Sequence, residues 1–338
     1  MKIAIDAMGG DQGPKVMVPG ILQARDQFPT IEFILFGDKE QIQPLLTDTR
    51  HIEVVHTTEE IHYEDEPVRA VRRKKDSSLV QAALAVKNGE ADAMLSAGNT
   101  GALMAAGLLY IGRSKFIERP GLMTTLPVAT TDGGTDFIDL GANAENKPEH
   151  LNSFAILGSV YAKLARGIEQ PRVGLLNNGT EDTKGNEVTK AAFKLLQQNP
   201  LIHFIGNVES RDLLSGVADV VVTDGFTGNA VLKSVEGTAL SIMKLLKQSV
   251  LSLGWRGKIG ALLIKPALKQ LKAKMDYTDH NGAILMGIKA PVLKTHGSSK
   301  PQTIVACIDQ IKTMVEQRVV PEIEEELQAL SERETGQK

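Results

Sequence analysis

Short, almost uninterrupted apolar runs recur along this chain and alternate with amphipathic stretches. Continuous apolar runs of this length are typical of strands that are covered on both faces, as in a parallel sheet flanked by helices. The runs are KIAID, EFILFG, HIEVV, DAMLS, DFIDL, RVGLL, IHFIG and DVVVTD. Helical periodicity lies between them, as in SSLVQAALAVKNG, PEHLNSFAILGSVYAKLA and EVTKAAFKLLQQ. The alternation predicts an α/β fold with a largely parallel sheet.

Five of these predicted strands are followed by loops rich in glycine, asparagine, aspartate and threonine. They are DAMGGDQGP, SAGNTGA, LGANAENKP, NNGTEDTKGNE and TDGFTGN. Because parallel strands end at one edge of a sheet, we expect these loops to meet in a single ligand-binding crevice. Glycine lets backbone N–H groups approach an anion, and a helix N-terminus adds about half a positive charge. The loops therefore predict a phosphate site. For any one loop, simple helix capping by Asn and Thr is an equal alternative.

Length, charge and cysteine content narrow the class of protein. A chain of 338 residues suits roughly two domains or one large α/β unit. A net charge of -3 argues against a general nucleic-acid binder. The single cysteine, Cys307, excludes an intramolecular disulfide framework and favours the reducing cytoplasm. Asp6 interrupts the apolar N-terminus, so a signal sequence is not expected.

Several familiar catalytic signatures are absent from the sequence. It contains no dinucleotide fingerprint, P-loop, nucleophile elbow or zinc-protease motif. The seven histidines show no metal-ligand spacing, and only His296, in KTHGSS, lies in a loop that resembles the strand-end loops. We expect neither a metal nor a cofactor.

The segment EPVRAVRRKKDSS is strongly basic. If it is helical, Arg69, Arg72 and Arg73 share one face and form a compact patch for phosphate or an acidic partner. A solvated helix end is the alternative reading of the same charges.

A second basic segment, residues 254–275, combines lysines and Arg256 with an apolar stripe that includes Ile259 and Leu263. This pattern is typical of a helix that lies on an anionic membrane surface, with Trp255 at headgroup level. Pro266 predicts a kink or a new helix start. An amphipathic helix packed on the protein or on a dimer partner is an equal alternative.

Six motifs, in order, span nearly the whole chain: IDAMGGD, DEPVRAVRRKKDSS, SAGNTGAL, GLLNNGTEDTKGNE, VVVTDGFTGN and KAPVLKTHGSS. In sequence and spacing they resemble the bacterial phosphate acyltransferases of phospholipid synthesis. The resemblance implies transfer of a fatty acyl group from acyl-carrier protein to inorganic phosphate. The acyl phosphate product would serve a membrane-bound glycerol-3-phosphate acyltransferase. It also implies a cytoplasmic homodimer that associates peripherally with the inner face of the membrane.

The resemblance further implies a three-layer α/β/α fold similar to phosphotransacetylases and to the isocitrate and isopropylmalate dehydrogenases. We place one lobe at residues 1–118 plus 285–338. The other lobe is expected at residues 119–284 and includes the basic segment 254–275.

A set of site residues follows from these motifs as a hypothesis. Lys184 is expected to bind phosphate or the developing negative charge, and Asn229, His296 and Glu187 are the other candidate catalytic residues. The expected substrate-binding residues are Asp6, Gly9, Gly10, Asp11, Arg72, Arg73, Ser96, Asn99, Thr100, Gly101, Asn178, Thr180, Asp224 and Thr227. The expected membrane contacts are Trp255, Ile259, Leu262 and Leu263.

Three other functions stay open at this stage. A phosphotransacetylase acting on acyl-CoA would use the same attack with another thiol carrier. A nicotinamide-dependent decarboxylating dehydrogenase is disfavoured because the sequence offers no evident carboxylate cluster for its metal. A non-catalytic scaffold recruited to the membrane is the third alternative.

Overall fold

One eleven-stranded sheet runs through the molecule. A computed structural model of the chain describes residues 1–130, 133–275 and 282–336. The strand order is β3-β2-β1-β4-β11-β10-β5-β6-β9-β7-β8. The strands are β1 Lys2–Asp6, β2 Glu32–Gly37, β3 Ile52–His56, β4 Ala93–Ser96, β5 Gly121–Leu126, β6 Thr135–Ile138, β7 Arg172–Asn177, β8 His203–Glu209, β9 Val220–Val222, β10 Ala283–Met286 and β11 Val292–Lys294.

Helices cover both faces of this sheet. They are α1 Pro14–Gln27, α2 Lys39–Ile42, α3 Pro67–Arg73, α4 Ser78–Lys87, α5 Thr100–Ala106, α6 Pro148–Arg166, α7 Glu187–Gln198, α8 Gly225–Ser252, α9 Gly254–Met275, α10 Pro301–Glu316 and α11 Val319–Gly336. The largest apolar core joins one sheet face to α1, α6, α7 and α10. A second core joins the opposite face to α4 and α5. The predicted three-layer α/β/α architecture is therefore confirmed.

The two halves of the sheet run in opposite directions. Seven of the ten strand pairs are parallel, but β10 is antiparallel to both β11 and β5, and β5 is antiparallel to β6. Consequently β1, β4 and β11 end at one edge of the sheet, whereas β6, β7 and β9 end at the opposite edge.

This arrangement corrects the expectation of a single crevice. All eight predicted strands are present, as β1 to β4 and β6 to β9, and the predicted helices α4, α6 and α7 form as expected. The strands that sequence reasoning missed, β5, β10 and β11, lie side by side at the centre. Because their antiparallel pairings reverse the strand direction, the five glycine-rich loops divide into two groups. The lobe boundaries stay a prediction.

The α8–α9 hairpin buries little of its surface. Only Gly225 and Gly228, in the first turn of α8, are buried in that helix. Pro266 lies inside α9, which continues through it from Gly254 to Met275. The hairpin follows directly from the loop after β9, so this strand end leads into an exposed helical arm.

Candidate functional site

We call residues 6–13, 96–101 and 294–299 the first strand-end group. Its buried carboxyl group belongs to Asp6, the last residue of β1, which accepts hydrogen bonds of 2.6 Å from the hydroxyls of Ser78 and Ser96. Burial raises the pKa of Asp6, and these hydroxyls together with the N–H groups of Met8 and Gly9 act against that rise. Asp6 and Ser96 are therefore fixed by each other at the adjacent ends of β1 and β4.

Glycine is required where the two loops of this group touch. A Cβ atom on Gly9 would lie 2.6 Å from the backbone nitrogen of Gly98 and 2.7 Å from a carboxylate oxygen of Asp6. Gly10 has a φ of +97°, and a Cβ there would lie 3.0 Å from the Cβ of Ala97. The backbone at this strand end is thus closely packed and carries few side chains.

Asn99 uses its side chain to build the loop. Its amide oxygen accepts the N–H of Ala102 at 3.0 Å, which caps α5, and its amide nitrogen donates to the carbonyls of His62 and Tyr63. The next residues begin α5: Thr100 and Gly101 are half-buried. Asn99 therefore positions the segment that precedes α3, and its predicted contact with substrate stays a prediction.

Lys294 is a functional candidate that sequence reasoning missed. It ends β11 opposite Ser96 of β4. Its ammonium donates to the carbonyl of Ala97 at 2.9 Å and to the carbonyl of Thr295. Burial lowers the pKa of Lys294 to about 8, and the negative charges of Asp6 and Asp11 act against that shift. The only available signal was the motif KAPVLKTHGSS, which does not reveal burial.

The remaining predicted residues of the first group lie at its surface. Asp11 is exposed, and its N–H donates to the carbonyl of Gly297 at 2.9 Å. His296 is exposed, and its Nδ1 lies 2.8 Å from the hydroxyl of Ser298. Both are therefore accessible to a ligand, although His296 already has a hydroxyl partner.

The predicted basic patch lies beside this group on α3. Arg69, Arg72 and Arg73 are all exposed on that helix. The first residue of α3 is close to the α5 loop, since a Cβ on Gly101 would lie 2.7 Å from Cγ of Pro67. The structure therefore places the start of α3 against the first strand-end group.

We call residues 139–147, 177–187 and 223–229 the second strand-end group. Asp139 is its buried acidic residue, and the carboxyl group accepts hydrogen bonds from the backbone N–H groups of Leu122, Ala142 and Asn143 at 2.8 to 3.0 Å. Burial raises the pKa of Asp139, and these hydrogen bonds act against the rise. Its carboxylate holds the turn after β6 to the start of β5.

The other predicted residues of this group are mostly exposed. Asp224 caps α8 by accepting the N–H of Thr227 at 2.8 Å. The exposed residues are Asn178, Thr180, Lys184, Glu187, Thr227 and Asn229. A Cβ on Gly179 would meet the stem of Lys184 and the carboxylate of Glu181. Lys184 thus folds over its own loop.

The structure separates residues that the sequence hypothesis combined. Lys184 follows β7, whereas Asn99, Thr100 and Gly101 follow β4, and these two strands end at opposite edges of the sheet. Within one chain, Lys184 and the α5 loop do not share a strand-end crevice. The catalytic role of Lys184 itself stays a prediction.

The expected membrane residues are prominent on α9. Trp255, Ile259, Leu262 and Leu263 are 68%, 52%, 70% and 75% exposed. Arg256 stacks over the indole of Trp255 at 5.5 Å from the ring centroid. The first two turns and the middle of α9 therefore present apolar surface to the surroundings.

No group of three or more His, Cys, Asp or Glu side chains in residues 1–130, 133–275 and 282–336 could hold a metal ion. No described helix is both long enough and apolar enough to cross a membrane.

The fold is that of the phosphotransacetylases. A phosphotransacetylase from Streptococcus pyogenes superimposes with a TM-score of 0.60 at 17% identity, over 95% of this chain and 94% of that one. A EutD phosphotransacetylase from Staphylococcus aureus gives a TM-score of 0.57 at 18% identity, over 94% of each chain. At this identity the likeness establishes the fold alone.

Sequence comparison establishes the family. Residues 1–322 match the protein family described as "Fatty acid synthesis protein", and the chain belongs to it. A phosphate acyltransferase from Enterococcus faecalis is 60% identical over 326 residues, 96% of this chain and 98% of the relative. One from Streptococcus uberis is 58% identical over 324 residues, 96% of each. The resemblance noted from six motifs is confirmed, and the chain is an acyltransferase enzyme.

Proposed function

We propose that this acyltransferase moves a fatty acyl group from acyl-carrier protein to inorganic phosphate. The acyl phosphate would serve phospholipid synthesis as the substrate of a membrane-bound glycerol-3-phosphate acyltransferase. The observation that carries the proposal is the 60% identity, over 96% of the chain, to a relative named phosphate acyltransferase. The family description, which concerns fatty acid synthesis, supports a fatty acyl donor.

The reaction needs positioning more than it needs a protein nucleophile. An oxygen of hydrogen phosphate attacks the thioester carbonyl, a C–O bond forms, and the C–S bond breaks. The leaving thiolate takes up the proton that hydrogen phosphate gives up, so the products are acyl phosphate and the free thiol. Fixed hydrogen-bond donors and a cation can align phosphate and stabilise the developing oxyanion. The glycine-rich loops at the strand ends can supply backbone N–H groups as such donors.

The α3 face supports an acidic protein donor. Arg69, Arg72 and Arg73 are exposed, and no ion pair involves them among the described residues. Val68, beside them, is 44% exposed. A basic face of this kind would attract an acidic carrier electrostatically and hold it beside the first strand-end group.

The α8–α9 hairpin supports peripheral association with the inner face of the membrane and assembly as a homodimer. Its exposed apolar residues have no partner on the rest of the described chain that would bury them, and large exposed apolar patches mark interaction surfaces. In the proposal, α9 contacts the membrane through Trp255, Ile259, Leu262 and Leu263. The enzyme itself stays in the cytoplasm.

A phosphotransacetylase that acts on acyl-CoA is the second candidate, because two solved structures with the same fold are named phosphotransacetylases. The two candidates differ only in the thiol carrier. The test supplies purified enzyme with phosphate and equal concentrations of long-chain acyl-carrier protein and the matching acyl-CoA. We expect phosphate-dependent loss of the carrier-bound acyl group. Preferential consumption of acyl-CoA would support the second candidate instead.

A further inference from the structure

Lys294 differs from the other substantially buried cations. Each of three others contacts a carboxylate, at distances of 2.6 to 2.8 Å: Arg25 with Asp26, Lys74 with Asp65 and Arg166 with Asp136. The ammonium of Lys294 donates to two backbone carbonyls, and no carboxylate forms an ion pair with it in the part of the chain that the structure describes. A buried charge is costly without a counter-charge, so this site is suited to an anionic ligand.

The ammonium of Lys294 lies among backbone groups of the first strand-end group. The carbonyl of Ala97 accepts both the Lys294 ammonium and the Tyr63 hydroxyl, at 2.9 and 3.0 Å. Gly10 packs against Ala97 and against the carbonyl of Gly297. Besides Tyr63 and Lys294, the residues at the shared carbonyl are glycine and alanine, whose backbone a small anion can approach closely.

We propose that Lys294 binds the inorganic phosphate substrate within the first strand-end group, with its ammonium neutralising a phosphate oxygen. This inference rests on the proposed function and assigns one substrate to a particular place. The phosphate-binding cation is then Lys294 and not Lys184, which lies at the opposite edge of the sheet. Lys294 is then a substrate-binding residue that the sequence motifs did not identify.

Several titratable groups face Lys294 from the surrounding elements. They are Asp6 at the end of β1, Asp11 in the following loop, Cys307 on α10 and Tyr63 before α3, whose hydroxyl shares the carbonyl of Ala97 with Lys294. Asp6 accepts hydrogen bonds from two serine hydroxyls and forms no ion pair with Lys294. The carboxylates favour the charged ammonium, and burial disfavours it.

Phosphate binding should therefore be linked to proton uptake. Because burial lowers the pKa of Lys294 to about 8, the free enzyme loses this charge as the pH rises through 8. A bound dianion favours the protonated lysine and raises its pKa. At pH 8, binding should take up part of a proton, and the affinity for phosphate should fall at higher pH.

Calorimetric titration of the full chain with inorganic phosphate tests this inference. Measurements at pH 8 in two buffers of different ionisation enthalpy give the number of protons taken up. We expect Lys294→Met to weaken phosphate binding roughly 10- to 100-fold, the usual effect of losing a charge-assisted hydrogen bond. Lys294→Arg, which stays protonated, should bind phosphate without the lysine's proton uptake and so isolates the ionisation of phosphate itself.

Two results would overturn the inference. One is a folded Lys294→Met enzyme that binds phosphate within about twofold of wild type. The other is proton uptake by Lys294→Arg equal to that of wild type, a result that overturns the inference even when the methionine variant fails to fold.

A parallel assay with acyl-carrier protein separates this inference from the proposed function. Wild-type binding of phosphate without acyl phosphate formation contradicts the function, whereas turnover that is indifferent to Lys294 contradicts only this site.

Discussion

The two strand-end groups of this molecule are built in different ways. The first is closed: Asp6 is buried between two serine hydroxyls, the loops of Gly9 and Gly98 are in close contact, and Lys294 is largely enclosed. In the second group, Asp139 is buried, but Lys184 and most polar side chains are exposed, and the chain leads directly into the α8–α9 hairpin. The first is suited to hold a small anion, and the second to meet a larger partner.

The difference shows that similar loop composition does not define one site. Both groups consist of glycine with Asn, Asp or Thr after a strand, yet they lie at opposite edges of one sheet. In each group much of the polar content serves helix caps and turns, as Asn99 and Asp224 do. The functional question is therefore which cation in each group contacts the substrates.

The replacement Lys184→Ala is expected to have the largest effect. If its ammonium stabilises the developing charge, acyl phosphate formation should fall about 10²- to 10³-fold while the enzyme stays folded. Steady-state turnover and a thermal unfolding curve would be measured together. Lys190→Ala, at an exposed lysine on α7, is the matched control. Near-normal turnover of Lys184→Ala would show that Lys184 takes no part in the reaction and would assign catalysis to the first strand-end group alone.

The hairpin can be separated from the catalytic groups by the double replacement of Ile259 and Leu263 with Glu. Each side chain contributes about 1.5 to 3 kcal/mol if fully buried in lipid. We expect the variant to lose binding to anionic vesicles in a flotation assay and to retain turnover of soluble substrates. Ile205→Glu, on edge strand β8, is the control at an exposed apolar position elsewhere. Persistent vesicle binding would place these residues in a dimer interface instead.

Paired glycine replacements test the contrast in packing. In Gly9→Ala the new methyl group meets the backbone of Gly98, which cannot move aside without shifting the loop, so we expect a loss of about 1–3 kcal/mol in the free energy of unfolding. In Gly179→Ala it meets the flexible side chains of Lys184 and Glu181, so the cost should stay within about 0.5 kcal/mol. Urea unfolding measures both values. Equal losses would contradict the contrast.

Charge reversal at Arg72 and Arg73 on α3 should have the smallest effect on chemistry. If this face attracts the carrier protein, KM for acyl-carrier protein should rise on the order of 10-fold at low salt, and the difference should shrink as ionic strength increases. The double replacement of Lys190 and Lys194 with Glu, at exposed positions on α7, is the control for total charge. A loss of phosphate affinity with unchanged KM for the carrier would assign the arginines to the phosphate site.

Much of the fold was predictable because most of its strands are covered on both faces and leave continuous apolar runs. The missed strands β5, β10 and β11 lie at the centre of the sheet. Two threonines interrupt the apolar run of β5, and the short strands β10 and β11 follow each other without an intervening helix. Missing them concealed the reversal of direction and led to the incorrect single crevice. Lys294 was overlooked for a related reason: it ends one of these short strands, and its burial depends on Ala97 and Thr295, which only the tertiary structure brings to it.

The central claim is that this enzyme makes acyl phosphate from a carrier-bound fatty acid. The most direct measurement follows the reaction of purified wild-type enzyme, long-chain acyl-carrier protein and inorganic phosphate by phosphorus-31 NMR, with free carrier protein quantified in parallel. We expect an acyl phosphate signal that depends on enzyme and phosphate and grows in step with free carrier protein. Intact acyl-carrier protein in the presence of phosphate and folded enzyme would contradict it.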